Sequence, residues 1–305
     1  MDNTRTTINL NGIWDFCPLY DVHHSLTLPD CDKLDFTTIT VPSNYHTDGI
    51  TYKDVFRPYD LFDYPEEWNK SATAVYRRTL DIPAGALDGE HTVVLHSENI
   101  AQMAAFYLNG KHVCDWDEMY LPLDCDITAF LRAGENTLAV VCTDYDKVTI
   151  PSGQKKITYL SGSFWNNSTR GIWGNISAEI MPKCHISDVT VRTSVRGKML
   201  EVITELSENP SGAEIDIEIY DGGDKVLAFA GNVGSTVTKW DDPILWDIEN
   251  PHLYTAKIVL SVCGKTIDEK EVRFGFREIW YEGTQFYLNG TPINLRGDSW
   301  HFQGN

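Results

Sequence analysis

The chain has 305 residues, 42% of them hydrophobic and 11% aromatic, with a formal charge of −19. This fits about two packed domains. No apolar run approaches the ~18 residues of a membrane span, and so negative a surface repels phosphate backbones, which argues against a nucleic-acid partner and for solubility. The N-terminus, MDNTRTTINLNG, has no basic stretch followed by an apolar one, so no signal peptide is expected. The seven cysteines are odd in number and lack any C-x-x-C, which favours reduced thiols. Together these two features predict a cytoplasmic location. His23-His24 is the only tight histidine cluster and has no partner at ligand spacing, so no metal site and no cofactor are expected. The sequons at Asn69, Asn167 and Asn289 matter only in a secreted protein.

Residues 7–182 read as short strands punctuated by turns. Thr7–Phe16 carries Ile8, Leu10, Ile13, Trp14 and Phe16 around Asn11-Gly12. Phe36–Val41, Ala74–Ile82, His91–Ser97, Ala104–Leu108, Lys111–Cys114, Leu121–Ile127, Thr137–Thr143 and Ile172–Met181 follow. Asn109-Gly110 supplies the positive-φ pair of a tight hairpin, and Thr128–Arg132 predicts one helical turn. Many strands and no long helical period imply an all-β sandwich, of a size that suits a jelly roll. Tyr45, Tyr52, Tyr59, Phe62, Tyr64 and Trp68 crowd a long loop at 44–70. Two readings are open there: a sugar-stacking surface, or a contact for self-association into a homo-oligomer. Trp14, Trp173 and Trp246 are expected in the core.

Beyond Met181-Pro182 come seven strand candidates: Ile186–Thr193, Met199–Leu206, Ala213–Tyr220, Val226–Ala230, Ser235–Lys239, Thr255–Val262 and Ile267–Phe274. Two of them alternate between apolar and acidic residues, one face inward and one in water. This predicts an immunoglobulin-like sandwich without a disulfide. Gln285–Leu288 and Pro292–Leu295 then flank an Asn289-Gly290 turn, and the chain runs through Arg296-Gly297 into Asp298, Ser299, Trp300 and His301. The pattern is that of a strand delivering polar side chains to a site.

An ordered series of short motifs runs through the sequence: Asn11-Gly-Ile-Trp-Asp-Phe, Val41-Pro-Ser-Asn, Tyr76-Arg-Arg, Tyr107-Leu-Asn-Gly, Gly134-Glu-Asn-Thr-Leu-Ala-Val, Arg170-Gly-Ile-Trp, Leu245-Trp-Asp, Phe274-Gly-Phe-Arg, Phe286-Tyr-Leu-Asn-Gly and Asn294-Leu-Arg-Gly, ending at His301. The series resembles the N-terminal portion of glycoside hydrolase family 2, which includes β-galactosidases, β-glucuronidases and β-mannosidases. The resemblance implies a jelly-roll sugar-binding domain at 1–182, an immunoglobulin-like domain at 183–275 and the first hairpin and strand of a (β/α)8 barrel at 276–305. It also implies that the complete enzyme hydrolyses β-glycosides with retention, using two glutamates from later barrel strands. None of the 44 acidic residues here lies in a matching motif, so no catalytic residue is assigned and the chain alone is expected to be inactive.

By the same resemblance His301 contacts the sugar. Asp298 is a candidate hydrogen-bond acceptor, and Trp300 either stacks on a pyranose face or packs in the barrel floor. Asp54, in the loop after Val-Pro-Ser-Asn, is a further candidate. In several relatives an aspartate ahead of Gly-Ile-Trp contacts the sugar. Here that position falls on Trp165, followed by Asn166 and Asn167, a departure that leaves the sugar open. Asn167 is either a hydroxyl contact or a surface turn. Arg296 is expected in a structural ion pair. A barrel strand without neighbours exposes its edges, so 276–305 is expected to be disordered or packed on a neighbour. The alternative to a hydrolase portion is a stand-alone carbohydrate-binding or adhesion module.

Overall fold

The computed structural model describes residues 5–20, 22, 25–45, 64–101, 103–143, 147–149, 155–157 and 170–297, with backbone only at 147–149 and 155–157. The chain divides into two compact units, Thr6–Ile180 and a second that joins Arg5 to the residues from Met181 onward.

The first unit contains β1 (Thr6–Asn9), β2 (Gly12–Leu19), β3 (Thr37–Val41), β4 (Thr73–Ile82), β5 (His91–Ser97), β6 (Ile100–Ala101), β7 (Met103–Leu108), β8 (Lys111–Trp116), β9 (Leu123–Asp126), β10 (Gly134–Thr143), β11 (Lys147–Thr149), β12 (Lys155–Ile157), β13 (Gly171–Ile172) and β14 (Ile176–Pro182). A four-stranded sheet in the order β1-β14-β5-β9 faces a six-stranded sheet in the order β3-β2-β4-β10-β7-β8, the two layers of a jelly roll. The inward residues of both make one core. Trp14, Phe16, Tyr76, Phe106 and Val140 come from the larger sheet, and Val93, Leu95, Ile176 and Ala178 from the smaller. Burying each such side chain stabilises by roughly 1.5–3 kcal/mol.

Asn11-Gly12 does not close a hairpin. β1 pairs with β14 and β2 with β3 and β4, so the chain changes sheet at Gly12, whose φ is +115°. β7 is buried on both faces. Its outer residues Met103, Ala105 and Tyr107 are covered by Leu26, Leu28, Leu34 and Phe36, and Leu26 O accepts from the Tyr107 hydroxyl at 2.7 Å. The Asn109-Gly110 hairpin forms as expected, with Asn109 at φ +52°, and the helical turn is a 3-10 turn at Thr128–Phe130.

The second unit contains β15 (Ile186–Ser194), β16 (Met199–Leu206), β17 (Ala213–Asp221), β18 (Asp224–Gly231), β19 (Gly234–Lys239), β20 (Tyr254–Val262), β21 (Lys265–Phe274), β22 (Ile279–Glu282), β23 (Gln285–Leu288) and β24 (Thr291–Ile293). All seven expected strands are present, arranged as sheets β15-β16-β19 and β18-β17-β20-β21 in an immunoglobulin-like sandwich. Along β17, Ile215, Ile217 and Ile219 enter the core while Glu214 and Asp216 face water, which is the alternation seen in the sequence. Asp268 is fully buried in this unit and accepts two hydrogen bonds from the Arg5 guanidinium and one from Ile186 N.

Residues 276–297 differ from the expectation of a disordered tail. β22, β23 and β24 pair with one another as an antiparallel meander, because each edge finds its partner within the same segment. Asn289, at φ +50°, fastens it: its side chain accepts from Glu278 N and donates to Trp246 O and Phe276 O. Arg296 lies past β24, exposed, and makes no ion pair among the described residues, so the structural ion pair expected for it is not found. Trp14 is in the core, whereas Trp173 and Trp246 are half-buried. Trp173 lies edge-on to Tyr120 and Trp246 lies under the Arg277 guanidinium.

Candidate functional site

The five residues singled out for sugar contact, His301, Asp298, Trp300, Asp54 and Asn167, lie outside the described residues, as do Tyr52, Tyr59 and Phe62. What the structure describes is the frame from which two of the loops that carry them spring. β3 ends at Val41, a cis bond leads to Pro42, and Ser43–Tyr45 begin the first long loop. The second long stretch returns at Arg170 and enters β13.

These two points are hydrogen-bonded side by side. Ser43 N donates to Ile172 O at 2.8 Å and Tyr45 N to Arg170 O at 3.2 Å, while Arg170 N donates to Asn44 Oδ1 at 2.9 Å. The Arg170 guanidinium reaches the other end of the first loop, donating to Ser71 O at 2.7 Å. Ser71 is itself buried and accepts from Leu19 N at 3.1 Å through its hydroxyl. One residue therefore ties together the exit of the first loop, its return and the return of the second. Backbone groups that leave a sheet need such partners, since each one buried unpaired costs about 1–3 kcal/mol.

Below the clasp lies an aromatic cluster. Phe16 meets Trp68 at 4.6 Å between ring centroids, Tyr76 at 5.0 Å and Tyr45 at 5.2 Å. Tyr64 stacks on Trp68 at 5.1 Å, and its hydroxyl donates to Ser43 Oγ at 3.0 Å. Of the aromatic residues in the 44–70 loop, Tyr45 and Trp68 are thus core residues that hold the feet of the loop. Their number in the sequence could not reveal this, because burial depends on Phe16 and Tyr76 from other strands. Gly171 fits only as glycine. Its φ is +105°, and a Cβ there would sit 2.3 Å from the Tyr76 hydroxyl. Burial pushes the Tyr76 phenol well above its ordinary value, so it stays neutral and serves as a wedge.

Five carboxylates, Asp88, Glu98, Glu218, Asp241 and Glu278, are held below their usual range by hydrogen-bond donors. None of these has the raised affinity for a proton that a general acid needs. The arrangement is suited to positioning loops. Sequence reasoning pointed to Val-Pro-Ser-Asn and Arg-Gly-Ile-Trp as motifs but missed that they touch. The signal was their common Asn/Arg polarity next to glycine and proline.

The family model described as "Glycosyl hydrolases family 2, sugar binding domain" matches residues 8–178, and that described as "Glycosyl hydrolases family 2" matches residues 184–277. A beta-galactosidase of Alteromonas mediterranea is 28% identical over 330 residues, spanning 96% of this chain and 30% of that protein. A solved beta-glucuronidase from an uncultured Clostridium sp. superposes with a TM-score of 0.71 at 24% identity, over 96% of this chain and 48% of that one. The b-glucuronidase from Ruminococcus gnavus in complex with D-glucuronic acid gives a TM-score of 0.74 at 19% identity, over 97% and 50%. These superpositions show a shared fold. The chain spans about a third of the length of the curated relatives and about half that of the solved enzymes. The first family model alone covers more than half of the sequence, and with both models falling in order on the two sandwiches, the chain belongs to glycoside hydrolase family 2.

Proposed function

We propose that this chain is the pocket-shaping part of a retaining β-glycosidase. In this reading residues 1–182 form the sugar-binding domain, 183–275 the supporting immunoglobulin-like domain and 276–305 the start of a (β/α)8 barrel that supplies the two catalytic glutamates. Asp54 and Asn167 reach the sugar from the two clasped loops, and His301, Asp298 and Trp300 from the barrel start. The partner is a β-linked carbohydrate, and the protein works in the cytoplasm. Among the described residues no helix is long and apolar enough to cross a membrane. The observation that carries the reading is the clasp: Arg170, Asn44 and Ser71 bring the feet of two long loops to one place on the sandwich. The alternative of a binding module without hydrolase activity is not favoured, since the matched relatives are named for glycosidases.

The test is an assay on aryl β-galactosides, β-glucuronides and β-mannosides, run beside calorimetric titration with the free sugars. This chain is expected to turn over none of them, and the same chain extended through the barrel is expected to hydrolyse one class. Turnover by the 305 residues alone would place both carboxylates here and sink the proposal. In the extended protein, His301→Ala is expected to lower kcat/KM at least tenfold, the loss of about one strong hydrogen bond.

A further inference from the structure

β8 and β9 are the last strands of the two facing sheets, both at the same end of the sandwich, and the chain crosses from one sheet to the other between Trp116 and Leu123. Each carries a cysteine that points into the shared core. In an antiparallel pair, residues directly opposite lie on one face. Cys114 is opposite Phe106 and Cys125 is opposite Leu95, and both of those partners are fully buried between the sheets. Both cysteines pack against that core, yet both keep partial exposure. They therefore face each other across the open corner of the sandwich.

We propose that Cys114 and Cys125 form a redox modification site, converted reversibly into an intramolecular disulfide by a small disulfide of the glutathione class. The neighbouring Cys125 thiol, together with burial, pushes the Cys114 thiol up. The reaction can start from either thiol once it ionises, here Cys125. Its thiolate attacks one sulfur of the oxidant RSSR, forming a mixed disulfide and expelling RS⁻, which takes up a proton. The Cys114 thiolate then attacks Cys125 Sγ and expels the second RS⁻, likewise protonated. Two protein thiols are oxidised, one small disulfide is reduced to two RSH, and the bond closes a short loop across the corner. Of the other cysteines, Cys17 and Cys142 are buried, and Cys263 is exposed in the other unit.

The experiment incubates the wild-type chain in glutathione buffers of graded poise and maps disulfides by mass spectrometry of non-reduced digests. The expected result is a Cys114–Cys125 cross-linked peptide with loss of two hydrogens, reversed by dithiothreitol. The thermal midpoint is expected to rise by about 5 °C or more. Cys114→Ser should trap glutathione on Cys125 and show no rise. Glutathione adducts at these positions without a cross-link would overturn the proposal. So would a cross-link only between other cysteines such as Cys17 and Cys31, or no reaction at either residue. The mapping uses the wild type, so a variant that fails to fold does not spare the idea.

Discussion

Gly171 sits where φ is +105° and where the nearest atom to any added Cβ is a buried tyrosine hydroxyl that cannot swing away. Gly171→Ala therefore combines backbone strain with overpacking and is expected to cost about 2–5 kcal/mol in urea unfolding. Gly85→Ala, where a Cβ meets nothing within 4 Å and φ is ordinary, is the matched control and should be near neutral. A cost below 1 kcal/mol at Gly171 would show that Tyr76 yields. Asp268 is the corresponding point in the second unit. Its carboxylate pairs with the Arg5 guanidinium at 2.6 Å, and its own side chain is fully buried. Asp268→Ala removes the carboxylate to which that guanidinium and Ile186 N donate, so a loss of about 3–5 kcal/mol is expected. Arg5→Ala should destabilise the same unit although it lies more than 260 residues away in sequence. Asp268 and Gly171 illustrate what was legible. Gly171 stood in a recognisable motif and could be flagged from sequence. Asp268 read as one more acid in a polar strand, because its burial depends on a partner at the other end of the chain.

At the scale of elements, the meander β22-β23-β24 hangs on a few polar side chains. Asn289→Ala removes one acceptor and two donors at a positive-φ turn and is expected to cost about 2–3 kcal/mol locally. Faster hydrogen exchange confined to residues 278–297 is the expected readout, and unchanged protection there would remove Asn289 from its anchoring role. Glu278 joins the start of the meander to the Val195–Arg196 turn. Partial burial pushes its carboxyl up, but hydrogen bonds from Arg196, backbone and side chain, and from Val195 N outweigh this and hold it below 4.5. The unfolded chain then binds the proton more readily than the folded one. The contribution of Glu278 is fully present above pH 4.5 and is lost as pH falls through the lower, folded value. Wild-type stability should drop across that window, and Glu278→Gln should flatten part of the drop. An unchanged acid slope in the variant would contradict this. Strand existence was readable at this scale because alternation and Asn-Gly turns are local. Sheet membership was not, as β1 and β2 show: they are adjacent in sequence and belong to different sheets.

For the whole molecule, the two units have separate cores, one around Trp14, Phe16 and Phe106 and the other around Ile217, Tyr254 and Phe276. Calorimetry should resolve two unfolding transitions, Gly171→Ala lowering one and Asp268→Ala the other. A single transition moved equally by both would mean that the units unfold as one. Family membership came from an ordered series of motifs spread over both units, which is why it could be read before any coordinates. The candidate site was legible only in part. The motifs at the feet of the loops were visible, but the clasp that joins them was not, since Arg170 and Asn44 are 126 positions apart.

By itself the sequence determined the fold class. Short alternating runs, positive-φ turn residues and a change of pattern near residue 182 specify two β-sandwiches, because each of these signals acts over a few residues. Only the tertiary structure decided that Arg5 serves the second unit, that residues 279–293 pair with themselves, that Tyr45 and Trp68 are core, and that Cys114 and Cys125 pack against one core. Each of these depends on which distant strands become neighbours. Burial and pairing are properties of that arrangement, and neither the composition nor the periodicity of any one segment carries it.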